Sequence, residues 1–182
     1  MTDDLIARLQ IRIKTHPATD LECVPAIRPR PPLTLAAIED AERDLGFRLP
    51  PLLRSIYLNV ADGGYGPGWG LLPLNIENKP SVVMFDRYTR SHFRNGLPPE
   101  GWPEPYLRFC EWGCNIYSGV DCSTDACAVI RCDPMRGSEN EIDWLIPERE
   151  SLAQWLLDWL DGTLQFELSQ NKQQPPDGQS AN

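Results

Sequence analysis

The chain has 182 residues, a length that fits a single domain with a core of its own. Its 26 Asp and Glu side chains outnumber its 17 Lys and Arg side chains, so the formal net charge is -9 at pH 7. Such a charge repels nucleic acid and favours basic partners, so direct binding of DNA or RNA is not expected.

The N-terminal region lacks the pattern of an exported protein. Asp3 and Asp4 stand where a signal peptide carries positive charge, and neither an apolar h-region nor a small-residue cleavage site follows. The apolar runs are far shorter than the roughly 20 residues needed to span a bilayer. We therefore expect a cytoplasmic protein without a membrane partner, taken as a monomer, whose six cysteines stay reduced.

The chain divides into three predicted regions. In residues 1–33, apolar side chains at a 3.6-residue period predict a helix from Asp3 to about Thr15, and a linker with five prolines follows. Residues 34–162 form the predicted folded domain. Residues 163–182 have the polar composition of a disordered tail.

Two helices and a strand are predicted at the start of the folded domain. Thr34 is suited to cap a helix that Gly46 would end in a left-handed conformation. Leu49–Pro51 places proline in the first turn of a second helix, which ends at Gly63–Gly64. Trp69–Leu74 is a predicted strand.

Two more helices are predicted in the second half. The Ser81–Arg94 helix would carry three arginines on one side, either as a solvated polar face or as an anion site: Arg87, Arg90 and Arg94. Ser151 begins the last helix with a capping box, in which the Gln154 side chain would reach back to the cap, and Gly162 ends it.

Short runs of β-branched and aromatic residues lie between these helices. Asn115–Val120 and Cys127–Arg131 are predicted to be antiparallel strands joined by a turn. Glu141–Ile146 is a further candidate for a short strand. Together, the elements predict an α+β domain.

No segment has the pattern of a catalytic site. The five glycines between Gly63 and Gly70 follow a helix, whereas a phosphate-binding loop precedes one, and neither GxGxxG nor GxxxxGK[ST] is present. GxSxG is also absent, and His16 and His92 stand in no catalytic context. We expect no enzyme activity and no cofactor.

Five cysteines form a cluster with three open interpretations. They are separated by three, seven, four and four residues: Cys110, Cys114, Cys122, Cys127 and Cys132. Cysteine is often fully buried, so core packing explains them, but a zinc site or a redox site is also consistent with the spacing. Cys127 and Cys132 have opposite parity and would face opposite sides of a regular strand, which disfavours a single site.

Several separated segments resemble the Smi1/Knr4 family of the SUKH superfamily. The similarity covers about Leu35 to Leu160 and leaves out the first thirty residues. It is carried by a helix with Glu42 and Leu45, Leu49-Pro50, Tyr57, Asp62-Gly63-Gly64, Trp69-Gly70-Leu71, Glu111 to Ser118, Val120 to Ser123 and the Ser151 helix.

The resemblance implies a single α+β domain with a mixed or antiparallel sheet flanked by helices. Bacterial members are widely taken to be immunity proteins that bind and neutralise polymorphic toxins, many of them nucleases. Fungal members regulate cell-wall synthesis through protein contacts. A non-enzymatic immunity protein with a basic toxin as its partner is therefore expected; a regulatory scaffold adaptor and a zinc or redox protein are the alternatives.

The segments that carry the resemblance bring acids and aromatic residues together, a composition that suits recognition of a protein partner. Trp69 could instead pack under the sheet, and Asp121 and Asp125 could bond their own turn. We predict seven partner-binding residues: Asp62, Tyr65, Trp69, Glu111, Trp112, Asp121 and Asp125.

Overall fold

The computed structural model describes residues 2–15, 28–92 and 98–164. These ranges contain five α-helices and five strands, which confirms the predicted α+β class. In chain order they are α1 (Thr2–Thr15), α2 (Leu35–Leu45), α3 (Pro51–Asn59), β1 (Gly70–Leu71), α4 (Val82–His92), β2 (Tyr106–Gly113), β3 (Ile116–Asp121), β4 (Val129–Cys132), β5 (Leu145–Arg149) and α5 (Leu152–Leu160).

The five strands form one sheet in the order β1-β2-β3-β4-β5. Every neighbouring pair is antiparallel, so each strand turns back beside the previous one. The sheet is therefore antiparallel rather than mixed, and in the described residues the one α-helix between consecutive strands is α4, between β1 and β2.

Side-chain caps begin the helices where the sequence predicts them. The Thr34 Oγ1 atom accepts a hydrogen bond from the Ala37 amide at 3.2 Å, and Gly46 follows α2 with φ +87°. The Ser151 hydroxyl accepts from the Gln154 amide at 3.1 Å. The Gln154 side chain donates to Asp158 instead of reaching back to Ser151, so the predicted reciprocal half of the capping box is wrong.

The strand predictions need two corrections. Within Trp69–Leu74 only Gly70–Leu71 forms a strand, and Pro73 contributes no amide hydrogen to extend it. Alternation predicts no strand over Tyr106–Gly113, the eight residues of β2, and only its last three residues fall in the Glu111–Ser118 segment that carries the family resemblance. Register shifts at Arg108/Cys110 and Glu111/Gly113 are bulges, and they break the two-residue alternation from which a strand is recognised.

A third correction concerns the end of the sheet. Glu141–Trp144 is a 3-10 helix, because the Asn140 side chain accepts from the Ile142 amide and starts a turn. The final strand runs instead from Leu145 to Arg149. Pro147 lacks an N–H group and the Glu148 carbonyl accepts from the Arg149 guanidinium, so this edge of the sheet offers few groups for further strand pairing.

The two faces of the sheet bury different clusters. The main core joins one face to α1, α3 and α5, and in it the Phe109 and Trp155 rings meet edge-on at 5.1 Å. α1 belongs to this core, since Leu9 is fully buried. The second cluster covers the other face and consists of Tyr106, Tyr117 and Cys132 with partly buried Trp102, Ile130, Trp144 and Leu145 around them.

Among the described residues, none of the helices has both the length and the apolar character that a bilayer crossing requires. The predicted linker lies mostly, and the predicted tail almost entirely, outside the described residues, as does Arg94.

Candidate partner-binding surface

Asp62 is a buried anchor rather than a surface acid. Its side chain lies at 1% exposure, where Oδ1 accepts from the Leu74 amide at 2.8 Å and Oδ2 accepts from Arg30 Nε at 3.0 Å. The carboxylate therefore links its own loop to the segments that contain Arg30 and Leu74. Its prediction as an exposed recognition residue is wrong, because both oxygens are engaged inside the protein.

Tyr65 is also buried, with no exposed surface. Its ring lies 6.2 Å from that of Trp159, and burial raises the pKa of its phenol far above the ordinary value. The loop turns inward because Gly63 and Gly64 lie against other backbone: a Cβ atom at Gly63 would be 2.6 Å from the Leu72 carbonyl carbon. Tyr65 therefore packs in the core and cannot meet a partner directly.

Trp69 remains exposed at the end of the same loop, with 47% of its surface accessible. Its amide donates to the Glu111 carbonyl at 2.8 Å, which fixes its backbone to β2. Its indole lies over Gly113, where an added Cβ atom would be 3.0 Å from the indole nitrogen. The structure thus presents a large aromatic surface on a well-anchored backbone.

Glu111 and Trp112 support this region from opposite faces of the sheet. Glu111 is paired with Arg108, whose guanidinium lies between the Phe85 ring at 3.8 Å and the Tyr117 ring at 4.1 Å. The Trp112 indole donates to the Ser118 hydroxyl at 2.8 Å. Both side chains are partly buried, so their polar groups are largely committed within the fold.

A buried polar network that sequence reasoning missed continues from Ser118. The Ser118 hydroxyl donates to Glu148 Oε2 at 2.6 Å, and the Trp155 indole donates to the same oxygen at 3.1 Å. Burial raises the pKa of Glu148, while these hydrogen bonds and Arg131 oppose the rise. No sequence pattern distinguishes this Glu from the other acids, because its partners come from β3, β4 and α5.

Asp121 and Asp125 lie at the opposite end of β3, around the β3–β4 turn. Asp121 Oδ1 accepts from the Ser123 amide at 2.9 Å, as turn acids commonly do, and Asp125 is exposed. The backbone bonds Cys122 N to Pro105 O at 2.8 Å and Leu152 N to Ala126 O at 3.0 Å bring two further exposed acids, Glu104 and Glu150, to this turn.

We call Glu104, Asp121, Asp125 and Glu150 the acidic end of the sheet. Within the described residues none of these carboxylates is paired with Lys or Arg, so their charge is available to a partner. Sequence reasoning missed Glu104 and Glu150, since only tertiary hydrogen bonds bring them to the turn.

We call Trp69 and the β2–β3 hairpin tip, Cys114 and Asn115, the tryptophan end. β4 also finishes on this side, and the following 3-10 turn carries Met135 at 65% exposure. The five residue steps of β3 put roughly 17 Å between the two ends. The predicted residues therefore form two patches rather than one compact site, a span that an ordinary protein interface covers.

The arginines of α4 are engaged with acids. Arg87 pairs with Asp44 at 2.9 Å, and Arg90 pairs with Asp86 and donates to the Leu45 carbonyl at 3.2 Å. These contacts explain the arginine-bearing face as a link between α4 and α2. An anion is not required to account for it.

The cysteines separate as their parity predicts. Cys127 belongs to the main core and Cys132 to the second cluster, whereas Cys114 is exposed at the hairpin tip. In the part of the chain that the structure describes, no three His, Cys, Asp or Glu side chains converge as metal ligands.

A concavity of about 1090 Å³ lies between α2 and α3. Its lining includes Glu42, which accepts from the Leu49 amide at 3.0 Å and from Arg54 Nε at 3.1 Å. The charges at its centre thus neutralise each other and hold the α2–α3 connection.

The helices and the antiparallel sheet define an α+β scaffold. The SMI1 / KNR4 family (SUKH-1) model matches residues 32–158, well over half of the chain. The protein belongs to this family. No curated protein matches the chain.

Proposed function

We propose that this protein is a non-enzymatic, stoichiometric binding module that acts as a cytoplasmic immunity protein, neutralising a toxin domain by covering its working surface. Membership of the SMI1 / KNR4 family supports the class of function. The particular partner is a toxin with a basic surface, matching the net charge of -9.

The exposed indole of Trp69 is the observation that carries the proposal. A tryptophan that is half exposed yet anchored through its backbone to the sheet loses little conformational freedom when a partner covers it. Such residues commonly dominate binding energy in protein interfaces. Met135 at the same end adds apolar surface of the kind that interfaces favour.

The product of the gene that adjoins this one is the test partner, because an immunity gene is expected to adjoin its toxin gene. Co-expression should give a one-to-one complex and should rescue cells from the toxin domain. The absence of both complex and rescue would remove the immunity proposal.

Trp69→Ala should weaken that complex by about 2 kcal/mol, or roughly 30-fold in Kd, because it removes the anchored aromatic surface. Calorimetric titration measures the effect. Tyr88→Ala is the matched control, since Tyr88 is also aromatic and 61% exposed but lies on α4. Equal losses for the two variants would contradict a specific role for the tryptophan end.

The acidic end should act mainly on the rate of association. Long-range attraction to a basic partner speeds encounter and is screened by salt, so the rate constant should fall as ionic strength rises. Asp125→Asn with Glu150→Gln should reduce both the rate and its salt dependence in stopped-flow measurements. Glu39→Gln with Glu77→Gln makes the same charge change at other exposed acids, and an identical effect there would show that only net charge matters.

A further inference from the structure

We propose that Cys122 and Cys127 form a reversible disulfide across the β3–β4 turn, with a small disulfide such as oxidised glutathione as the oxidant. This modification site is independent of the proposed function, although it lies in the turn that carries Asp121 and Asp125.

Strand register places the two cysteines opposite each other. The β3–β4 ladder pairs Val120 with Val129, and the Asp121 amide then donates to the Ala128 carbonyl at 2.9 Å. Cys122 and Cys127 are the next residues on the two sides, at the ends of the turn, where the left-handed backbone of Cys127 ends the regular strand pairing.

The spacing expected at that position suits a disulfide. Cα atoms of directly opposed antiparallel residues, such as those that this turn joins, lie about 4.5 to 5.5 Å apart. Disulfides join Cα atoms separated by roughly 4.4 to 6.8 Å. Cys127 has φ +53°, and both side chains pack against the main core, so they lie on the same face of the sheet.

The side-chain contacts agree with the register. The interaction between the two thiols lowers the pKa of Cys127 and raises that of Cys122, and burial raises the pKa of Cys122 further. Each sulfur also lies near a carbonyl of the turn, Cys122 by Val120 at 3.7 Å and Cys127 by Thr124 at 3.4 Å. The other three described cysteines lie elsewhere: Cys110 is buried on β2 with its thiol on the Pro67 carbonyl at 3.5 Å, Cys132 is in the second cluster and Cys114 is at the hairpin tip.

Oxidised glutathione is the only oxidant that this exchange requires. The partly exposed Cys122 thiol passes its proton to the Cys127 thiolate as its sulfur attacks oxidised glutathione, which forms a mixed disulfide and releases one glutathione thiolate. The buried Cys127 sulfur then attacks the Cys122 sulfur and releases the second. The two cysteines together lose two electrons and two protons, which end on the two glutathione thiols.

The experiment treats the full chain with oxidised glutathione, blocks free thiols with iodoacetamide and digests the protein before each Asp. Because Asp121 and Asp125 separate the two cysteines, a cross-link joins the peptides that begin at these residues, and fragmentation of the linked pair distinguishes Cys127 from Cys132 in the second peptide. We expect to find this linked pair of peptides. Two thiols per chain should no longer react with iodoacetamide, and dithiothreitol should restore both.

Two variants make the result decisive. Cys114→Ser removes the exposed thiol and should leave the cross-link unchanged, whereas Cys122→Ser should abolish it and leave Cys127 reactive once the protein is unfolded. Glutathione attached to Cys122 without any linked peptide, or a cross-link that joins Cys114 to either cysteine in its place, would overturn the proposal. Neither result depends on whether a toxin partner exists.

Discussion

At the scale of single residues, the polar side chains of the sheet are chiefly devoted to holding the fold. Asp62 satisfies the Leu74 amide, and Glu148 receives hydrogen bonds from Ser118 and Trp155. A buried acceptor that loses its donors costs more free energy than one hydrogen bond contributes. These carboxylates are therefore retained because they hold the fold together. Trp69, whose side chain is about half exposed, is therefore the better candidate for recognition.

Glu148 makes the stability depend on pH. Burial raises its pKa above the ordinary value of 4.5, so the unfolded chain releases its proton more readily than the folded protein. As the pH rises from the ordinary pKa to the raised pKa, the Glu148 carboxyl progressively lowers the free energy of unfolding. The lost stability returns as the pH falls through the same window.

Glu148→Gln should remove this contribution while leaving an oxygen to accept from Ser118 and Trp155. As the pH falls from about 7 to about 4.5, the free energy of unfolding of the wild type should increase relative to that of this variant. Urea unfolding at both values measures it. Glu150→Gln, an exposed neighbour, provides the control, and a pH-independent difference for Glu148→Gln would contradict the assignment.

At the scale of elements, the β2–β3 hairpin has the most demanding backbone. Its two-residue turn places Cys114 at φ +51° and Asn115 at φ +61°. Two-residue hairpin turns with positive φ at both positions match the right-handed twist of the strands, and Asn-Gly is their preferred sequence. Cysteine is therefore a costly choice at the first turn position.

Replacing the turn by Asn-Gly, as Cys114→Asn with Asn115→Gly, should stabilise the protein by roughly 0.5 to 1 kcal/mol, since both residues adopt positive φ more readily. The midpoint of urea unfolding would report the gain. Asn115→Val, with a β-branched side chain at the same φ, should lower that midpoint. If it does not, the turn is not under the strain that its backbone angles indicate.

The elements also show where local sequence patterns are sufficient. Thr34, Gly46 and Ser151 predict helix ends correctly because caps depend on neighbouring backbone groups. The two-residue alternation does not predict β2, because bulges near Cys110 and Trp112 disturb it. The last strand begins later than its predicted position, because the Asn140 cap starts a 3-10 turn first. Strand boundaries depend on the partner strand, which a local pattern does not contain.

At the scale of the whole molecule, α1 is part of the main core even though it precedes the segment that matches the family. Leu5, Ile6 and Leu9 are buried against α3 and α5, and the Arg8 side chain pairs with Asp161 beyond α5. The predicted boundary at residue 33 therefore separates two stretches of sequence that share one core.

Leu9→Ala should destabilise the protein by about 2 to 4 kcal/mol, because it leaves a cavity beneath α1. Ile11→Ala on the same helix should change the free energy of unfolding by less than about 0.5 kcal/mol, since Ile11 is 61% exposed. Thermal and urea unfolding compare the two. Equal small effects would mean that α1 is a detachable extension.

Periodicity, caps and separated motifs in the sequence determined the helices, the α+β class and the family, because these signals come from residues close together in the chain. Only the tertiary structure decided which predicted site residues are available to a partner. Asp62 and Tyr65 lie in the same glycine-rich loop as Trp69, yet they turn inward while Trp69 stays exposed. Burial depends on contacts with distant segments, as does the meeting of Glu104 and Glu150 with the β3–β4 turn.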